Sequence, residues 1–361
     1  MIVSDDKQVF SGSYAAADIT FLLRPLAMAP TPVAEKERLI QSGQRHYAEM
    51  IGEEPAIGEA HREIFAAALQ DGQARMGREV AALAATLAAF LPNRPIVLAS
   101  LVRAGVPLGV LLRRALVDLG CETYHYGISI VRDRGIDRAA LDAMIAWHGA
   151  EGIVFVDGWT GKGAIATELA KSLAGDDRFP RQPRLVTLAD PCGRAWLAAS
   201  GDDWLIPSGI LGATVSGLVS RSILTNDGGY HGCVHCDHLA HQDETRRFVD
   251  QVDQARRAQP APPALHWPDA QRQTLRADAE RVVDTVAQRF GITNRNRIKP
   301  GIAEATRALL RRVPDHVLVR DRDDPDVRLL VHLADRTGVP VEALGDQLGP
   351  YRAITIIRKV T

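Results

Sequence analysis

With 361 residues the chain has room for about two domains, and 46% hydrophobic residues can supply a substantial core. A formal net charge of −1 excludes a global pull toward polyanions, so any nucleic-acid contact must come from a local basic patch. Four cysteines do not suggest a disulfide scaffold, and neither a secretory leader nor an apolar run long enough to span a bilayer is present. The expectation is a cytoplasmic protein with no membrane contact.

Along the chain, Pro95-Ile-Val-Leu-Ala-Ser100 reads as a strand. The turn Leu101-Val-Arg103-Ala104-Gly105-Val-Pro107 leads into a helix over 108–116, with Pro107 suited to an early helical position. Ser100, Arg103, Ala104 and the amides around Gly105 are candidates to hold a phosphate group. Tyr126-Gly-Ile-Ser-Ile-Val131 reads as a further strand, followed by the charged segment Arg132-Asp133-Arg134-Gly135-Ile136-Asp137. Two arginines beside a glycine suggest a mobile loop able to neutralise charge on a leaving pyrophosphate. A solvated turn with local ion pairs is the plainer reading.

The most informative stretch is Ile153-Val-Phe-Val-Asp157-Gly158-Trp-Thr160-Gly161-Lys162-Gly163. Four apolar residues read as a buried parallel strand that ends on a carboxylate, and 164–174 reads as a helix. A strand that hands a glycine-rich loop to a helix N-terminus can build an anion cradle, with Lys162 adding full charge. Asp157 would sit where parallel sheets place ligand contacts. The spacing fails a Walker A loop, because Gly163 follows Lys162 where Ser or Thr is required, and it fails a dinucleotide fingerprint as well. A phosphorylated sugar suits it better, although a tight turn using glycines for backbone reasons would also account for it.

The densest set of metal-ligating side chains lies over 231–241, where Cys233 and Cys236 stand among four histidines. Structural zinc sites usually pair two separated knuckles, so an exposed polar segment is favoured over zinc. The Pro/Ala-rich segment 258–268 reads as a semi-rigid linker between domains 1–257 and 269–361. Beyond it come a helix over 270–288 and an alternating α/β pattern. In that pattern 302–312 is a helix with an apolar stripe, leaving Glu304, Arg307, Arg311 and Arg312 outside the stripe. Segments 317–320 and 329–332 flank an acidic turn.

The order of the 100–105, 130–137 and 156–163 motifs resembles a type I phosphoribosyltransferase. More narrowly, it resembles bacterial phosphoribosyltransferases of tellurium-resistance and stress gene neighbourhoods, some of which are labelled cysteine proteases. Segments 11–14, 18–23, 35–38, 40–43 and 46–50 are similar to that family's N-terminal signature. Segments 205–208, 214–221 and 231–233 are similar to its C-terminal one. The resemblance implies an α/β fold, a parallel-sheet transferase-like domain followed by a small L7Ae/Pelota-like α/β domain. It further implies transfer of ribose 5-phosphate from phosphoribosyl pyrophosphate, with Mg²⁺ held through the substrate and Asp157 at the ribose hydroxyls. Gly158 and Thr160–Gly163 would then cradle the 5′-phosphate, Ser100–Gly105 the pyrophosphate, and Arg132 and Arg134 would lie on a closing loop. The second domain implies RNA binding through Lys299, Gly301, Glu304, Arg307 and Arg311. The acceptor is unspecified, and a homo-oligomer is compatible with the sequence. Two other functions stay open, a non-catalytic nucleotide-sensing RNA-binding protein and a cysteine-type hydrolase using Cys192 or Cys233 with His231 or His46.

Overall fold

The computed structural model describes residues 10–225 and 227–359. Its first half is built on a six-stranded parallel sheet with the order Thr20–Phe21, Thr123–Ile128, Ile96–Leu101, Ile153–Val156, Leu185–Ala189, Leu197–Ser200. The central strands are apolar and buried along their whole length, as strands covered on both faces must be. From Ile96–Leu101 the chain crosses to Thr123–Ile128 on one side and later returns to Ile153–Val156 on the other. The ends of Ile96–Leu101 and Ile153–Val156 therefore flank a crevice, the place where such sheets bind ligands. Helix Glu59–Phe90 buries Phe65, Leu69, Met76, Val80, Leu83 and Leu87 at helical spacing and packs on helices Val106–Asp118 and Thr245–Arg257.

The segment 126–131 departs from the expected single strand. Thr123–Ile128 ends at Ser129, whose hydroxyl bonds His231 Nδ1 at 2.7 Å and whose carbonyl accepts from Asp137 N at 2.9 Å. Ile130–Val131 then pairs antiparallel with Gly135–Ile136. The charged segment is thus the turn of a tight hairpin, anchored by Arg132 N to Tyr47 Oη and Asp133 N to Glu168 Oε2, both at 2.8 Å.

No helix or strand lies between Arg257 and Asp269. The second module is a four-stranded mixed sheet with the order Ile298–Pro300, Ala353–Ile357, Pro314–Val319, Val341–Ala343. Its alternation separates two faces. Leu318, Ile354 and Ile356 pack with Val282 and Val286 of helix Asp269–Arg289. Val317, Val319 and Ala353 lie in a core with Ile302, Ala305 and Leu309 of helix Ile302–Arg311. That second core is continuous with Trp159, Ile206 and Ile210 of the first module. Residues 329–332, beyond the acidic turn, belong to helix Arg328–Thr337.

Polar contacts tie the same interface. Helix Ile302–Arg311 receives no cap from its own module; Asp203 of the first module accepts from Ile302 N at 3.0 Å and from Arg352 N at 2.8 Å. Arg312 makes a two-point pair with Glu37, whose side chain is fully buried. Burial works against the Glu37 charge, yet hydrogen bonds from Arg312 and Gln41 hold its carboxyl below the usual range.

Candidate functional site

The loops that follow Ile96–Leu101 and Ile153–Val156 cross so closely that a Cβ on Gly105 would lie 2.0 Å from the Val156 carbonyl oxygen. Glycine there is a requirement of the crossing. Ser100 and Gly105 do not line the crevice. His125 Nδ1 must donate to the Asp18 carbonyl at 2.8 Å, and burial pushes the imidazole down to about 4, so Nε2 accepts from Ser100 Oγ at 2.7 Å. This Ser–His pair is sealed in the interior. Arg103 and Ala104 do reach the cleft, where Arg103 pairs with Glu54 at 2.5 Å and donates to the Val219 carbonyl at 3.0 Å. Burial opposes charge on Glu54, but Arg103 and Arg311 outweigh it and hold the acid at about 2.

Asp157 is buried at the head of the second loop and accepts from Gly158 N at 2.8 Å. Burial raises it to about 7. Gly158 lies behind the cleft, because a Cβ there would meet the Ala104 carbonyl at 2.8 Å. Thr160 donates to Asp190, which also accepts from Arg194 N and Ala195 N. Lys162 Nζ donates to the carbonyls of Arg295 and Ile298 in the second module, and burial lowers it to about 8. The Gly161 carbonyl accepts from Tyr351 Oη at 3.0 Å, and a Cβ on Gly161 would lie 2.9 Å from Glu304 Cγ and from the Pro300 oxygen. The second module therefore covers this loop and closes a cleft of about 650 Å³, which Arg132, Arg134 and Gly163 also line.

Five residues expected on an RNA-facing surface turn inward. Lys299 is 7% exposed, Gly301 is buried where the helix begins, and Glu304 packs against Gly161. The Arg307 guanidinium lies 4.6 Å over the Trp159 ring, and Arg311 approaches Glu54 at 3.4 Å. Helical periodicity sets Glu304, Arg307 and Arg311 outside the module's own core, but the other module that covers them lies beyond the reach of local spacing. Trp159, Glu54 and Asp203, which organise the cleft, carried no motif signal by themselves.

The four cysteines are all free. Cys192 is buried with its Sγ 3.1 Å from Thr160 Oγ1, and burial pushes its thiol far up. Cys233 lies in a strand within the core, its thiol pushed up to about 12 by burial. His231 Nδ1 is engaged by Ser129, and His46 Nδ1 caps the turn over 47–49. Neither thiol faces a histidine through a hydrogen bond among the described residues. Cys236 is different. It lines a second cavity of about 390 Å³ together with His61, His238, Glu54, Arg103 and Arg311. Among the described residues no three His, Cys, Asp or Glu side chains converge as metal ligands. No helix among those residues is long and apolar enough to cross a membrane.

Residues 12–253 match the family model described as tellurite-like stress resistance cysteine protease StiP. The chain is 54% identical to a protein of Acinetobacter baylyi named cysteine protease StiP, over 98% of this chain and 96% of that one. The chain belongs to the StiP family. Residues 277–359 match the PELOTA RNA binding domain model. Among solved structures, a hypoxanthine-guanine phosphoribosyltransferase of Bacillus anthracis is similar at 14% identity and a TM-score of 0.31. It covers 45% of this chain and 94% of its own. A hypoxanthine phosphoribosyltransferase of Trypanosoma cruzi is similar at 16% identity and a TM-score of 0.29, covering 37% and 82%. Likeness at these scores carries no argument about the reaction.

Membership of StiP overturns the expected phosphoribosyltransferase, and with it the pentosyltransferase reaction and its vocabulary of donor and acceptor. Phosphoribosyl pyrophosphate loses its support as a partner. The Mg²⁺ implied by that donor is one held through the donor's own oxygens. In the structure Thr160 donates to Asp190, and Lys162 donates to carbonyls of the second module while both line the cleft. The hairpin carrying Arg132 and Arg134 is anchored at its backbone.

Proposed function

We propose that this StiP-family chain is a thiol-dependent hydrolase of peptide bonds with Cys236 as its nucleophile. The observation behind this reading is placement: Cys236 lines a cavity that it shares with two histidines and four arginines, whereas Cys192 and Cys233 line neither that cavity nor the larger cleft. Burial raises the Cys236 thiol, and the charges of Arg103 and Arg311 work to lower it. Those same guanidiniums would stabilise a thiolate and then the oxyanion of the tetrahedral intermediate. His61 Nε2 donates to the Ile210 carbonyl and His238 Nε2 to the Glu54 carbonyl, both at 3.0 Å. Each ring is thereby left with Nδ1 as its basic nitrogen. Cys236 Sγ makes no hydrogen bond among the described residues, so the base engages when a substrate fills the cavity. The thiolate attacks the carbonyl carbon, the amine leaves with the proton, and water releases the acyl group.

The test is hydrolysis of fluorogenic peptides by the full chain and its Cys→Ser variants. Cys236→Ser should lose activity by about 10³-fold or more, while Cys192→Ser and Cys233→Ser retain it. Because burial raises the thiol, iodoacetamide inactivation should accelerate with pH well into the alkaline range. Activity that survives Cys236→Ser but disappears in Cys192→Ser would move the nucleophile; no thiol-dependent activity at all would end the hydrolase reading.

The module over 269–361 is read as an L7Ae/Pelota-like RNA-binding domain on the strength of its family-model match. With Gly301, Glu304 and Arg307 turned inward, exposed Arg295 and Arg358 would be the side chains that meet phosphate in the docked arrangement. A cytoplasmic location goes with this reading.

A further inference from the structure

The cleft between the modules holds positive charge that its carboxylates, Glu304 foremost, only partly compensate. Its lining carries twelve lysines and arginines against four carboxylates. Some of these cations have partners: Arg103 and Arg311 share Glu54, and Arg312 has Glu37. Others do not. Lys299 Nζ makes no hydrogen bond or ion pair among the described residues, although the residue is more than nine-tenths buried. The Arg307 guanidinium rests on Trp159 with no carboxylate bonded to it, and its Nε is buried without a partner. Lys162 lines the same cleft from the first module, close enough for its charge to act on Lys299, with only carbonyl oxygens as acceptors.

An ion taken out of water and left unpaired costs several kcal/mol, and sequences retain such groups where something else compensates them. Burial lowers Lys299 to about 7 and Arg307 to about 9. Both groups therefore pay for desolvation as the fold stands. An anion reaching both would be held by charge-assisted hydrogen bonds in a site already shielded from water. The volume, about 650 Å³, lies in the range of sites for nucleotide-sized molecules and is too confined for an RNA duplex.

We propose that the cleft is a composite anion site for a phosphate-bearing small molecule, completed by Lys299 and Arg307 of the second module and Lys162 of the first. Such a ligand bridges the two modules and stabilises their docked arrangement. The cleft shares Arg103, Arg307 and Arg311 with the Cys236 cavity, whereas Lys299 and Lys162 line the cleft alone, so loss of anion binding in Lys299→Met with peptide hydrolysis retained distinguishes this proposal from the hydrolase reading.

The experiment is calorimetric titration and thermal unfolding of the full chain with inorganic pyrophosphate. Chloride at matched ionic strength is the control, and a short single-stranded RNA the competitor. Saturable pyrophosphate binding with a rise in unfolding midpoint is expected. Lys299→Met and Arg307→Met remove an uncompensated charge while keeping most of the side-chain volume. They should therefore keep or raise the midpoint without ligand while weakening pyrophosphate at least tenfold. No binding beyond the chloride control would overturn the proposal, as would undiminished binding in both folded variants. RNA binding that pyrophosphate does not compete with, in the absence of saturable pyrophosphate binding, would assign the cations to RNA and overturn it too.

Discussion

Asp157 shows how a single buried carboxylate couples the cleft to pH. Burial raises it from 3.8 to about 7, with the charge of Arg307 only partly opposing. A folded value above the unfolded one means that the unfolded chain releases its proton first. Stability is therefore lost as pH rises from about 4 and the loss is complete above about 7, an effect on the order of 2–4 kcal/mol. Asp157→Asn should accordingly unfold several degrees higher than wild type at pH 8 and at nearly the same temperature at pH 4. Scanning calorimetry at both values checks this; an equal shift at both would remove the titration as the cause. Glu54 has the opposite sign. Held at about 2 by Arg103 and Arg311, it contributes stability above its ordinary value and loses it only as pH falls toward 2.

At the scale of elements, helix Ile302–Arg311 depends on a residue of the other module. Its first amide is capped by Asp203, which also takes Arg352 N and so joins the helix start to strand Ala353–Ile357. Asp203→Ala removes an acceptor from two buried amides, a loss of about 1–2 kcal/mol. The variant should unfold at lower temperature and be cut faster by protease within 258–268, where no helix or strand protects the backbone. Asp203→Asn keeps one acceptor and should fall between the two. If Asp203→Ala lowers the midpoint without faster cleavage, the cap serves the helix alone and not the docking. The hairpin at 130–136 teaches a related lesson. A charged, glycine-containing segment reads as mobile, yet Tyr47 and Glu168 hold its backbone.

For the whole molecule, the interface combines a shared apolar core with an ion pair whose carboxylate is fully buried. Glu37 is fully buried and Arg312 reaches it with two nitrogens. Arg312→Ala would strand that carboxylate, a cost of about 3–5 kcal/mol, whereas an exposed pair would contribute under about 1. Denaturant unfolding should show the midpoint fall without a change in slope if the two modules still unfold together, and a second transition if they separate.

The strand at 153–156, the loop that follows it, the helices expected over 108–116 and 164–174, and the lack of helix or strand at 258–268 are legible from local pattern alone. Apolar runs, glycines and prolines act on the backbone next to them. The charged outer edge of 302–312 is legible for the same reason, since helical periodicity separates Arg307 and Arg311 from Ile302 and Leu309. What those charges meet is not local. Trp159 under Arg307 and Asp203 at Ile302 are brought together by the docking of one module on the other, and Cys236, His61 and Arg103 come to one cavity through packing of distant segments within the first module. Short-range periodicity determined which residues form strands and helices; packing between distant segments decided which polar groups are spent on structure and which face a cavity.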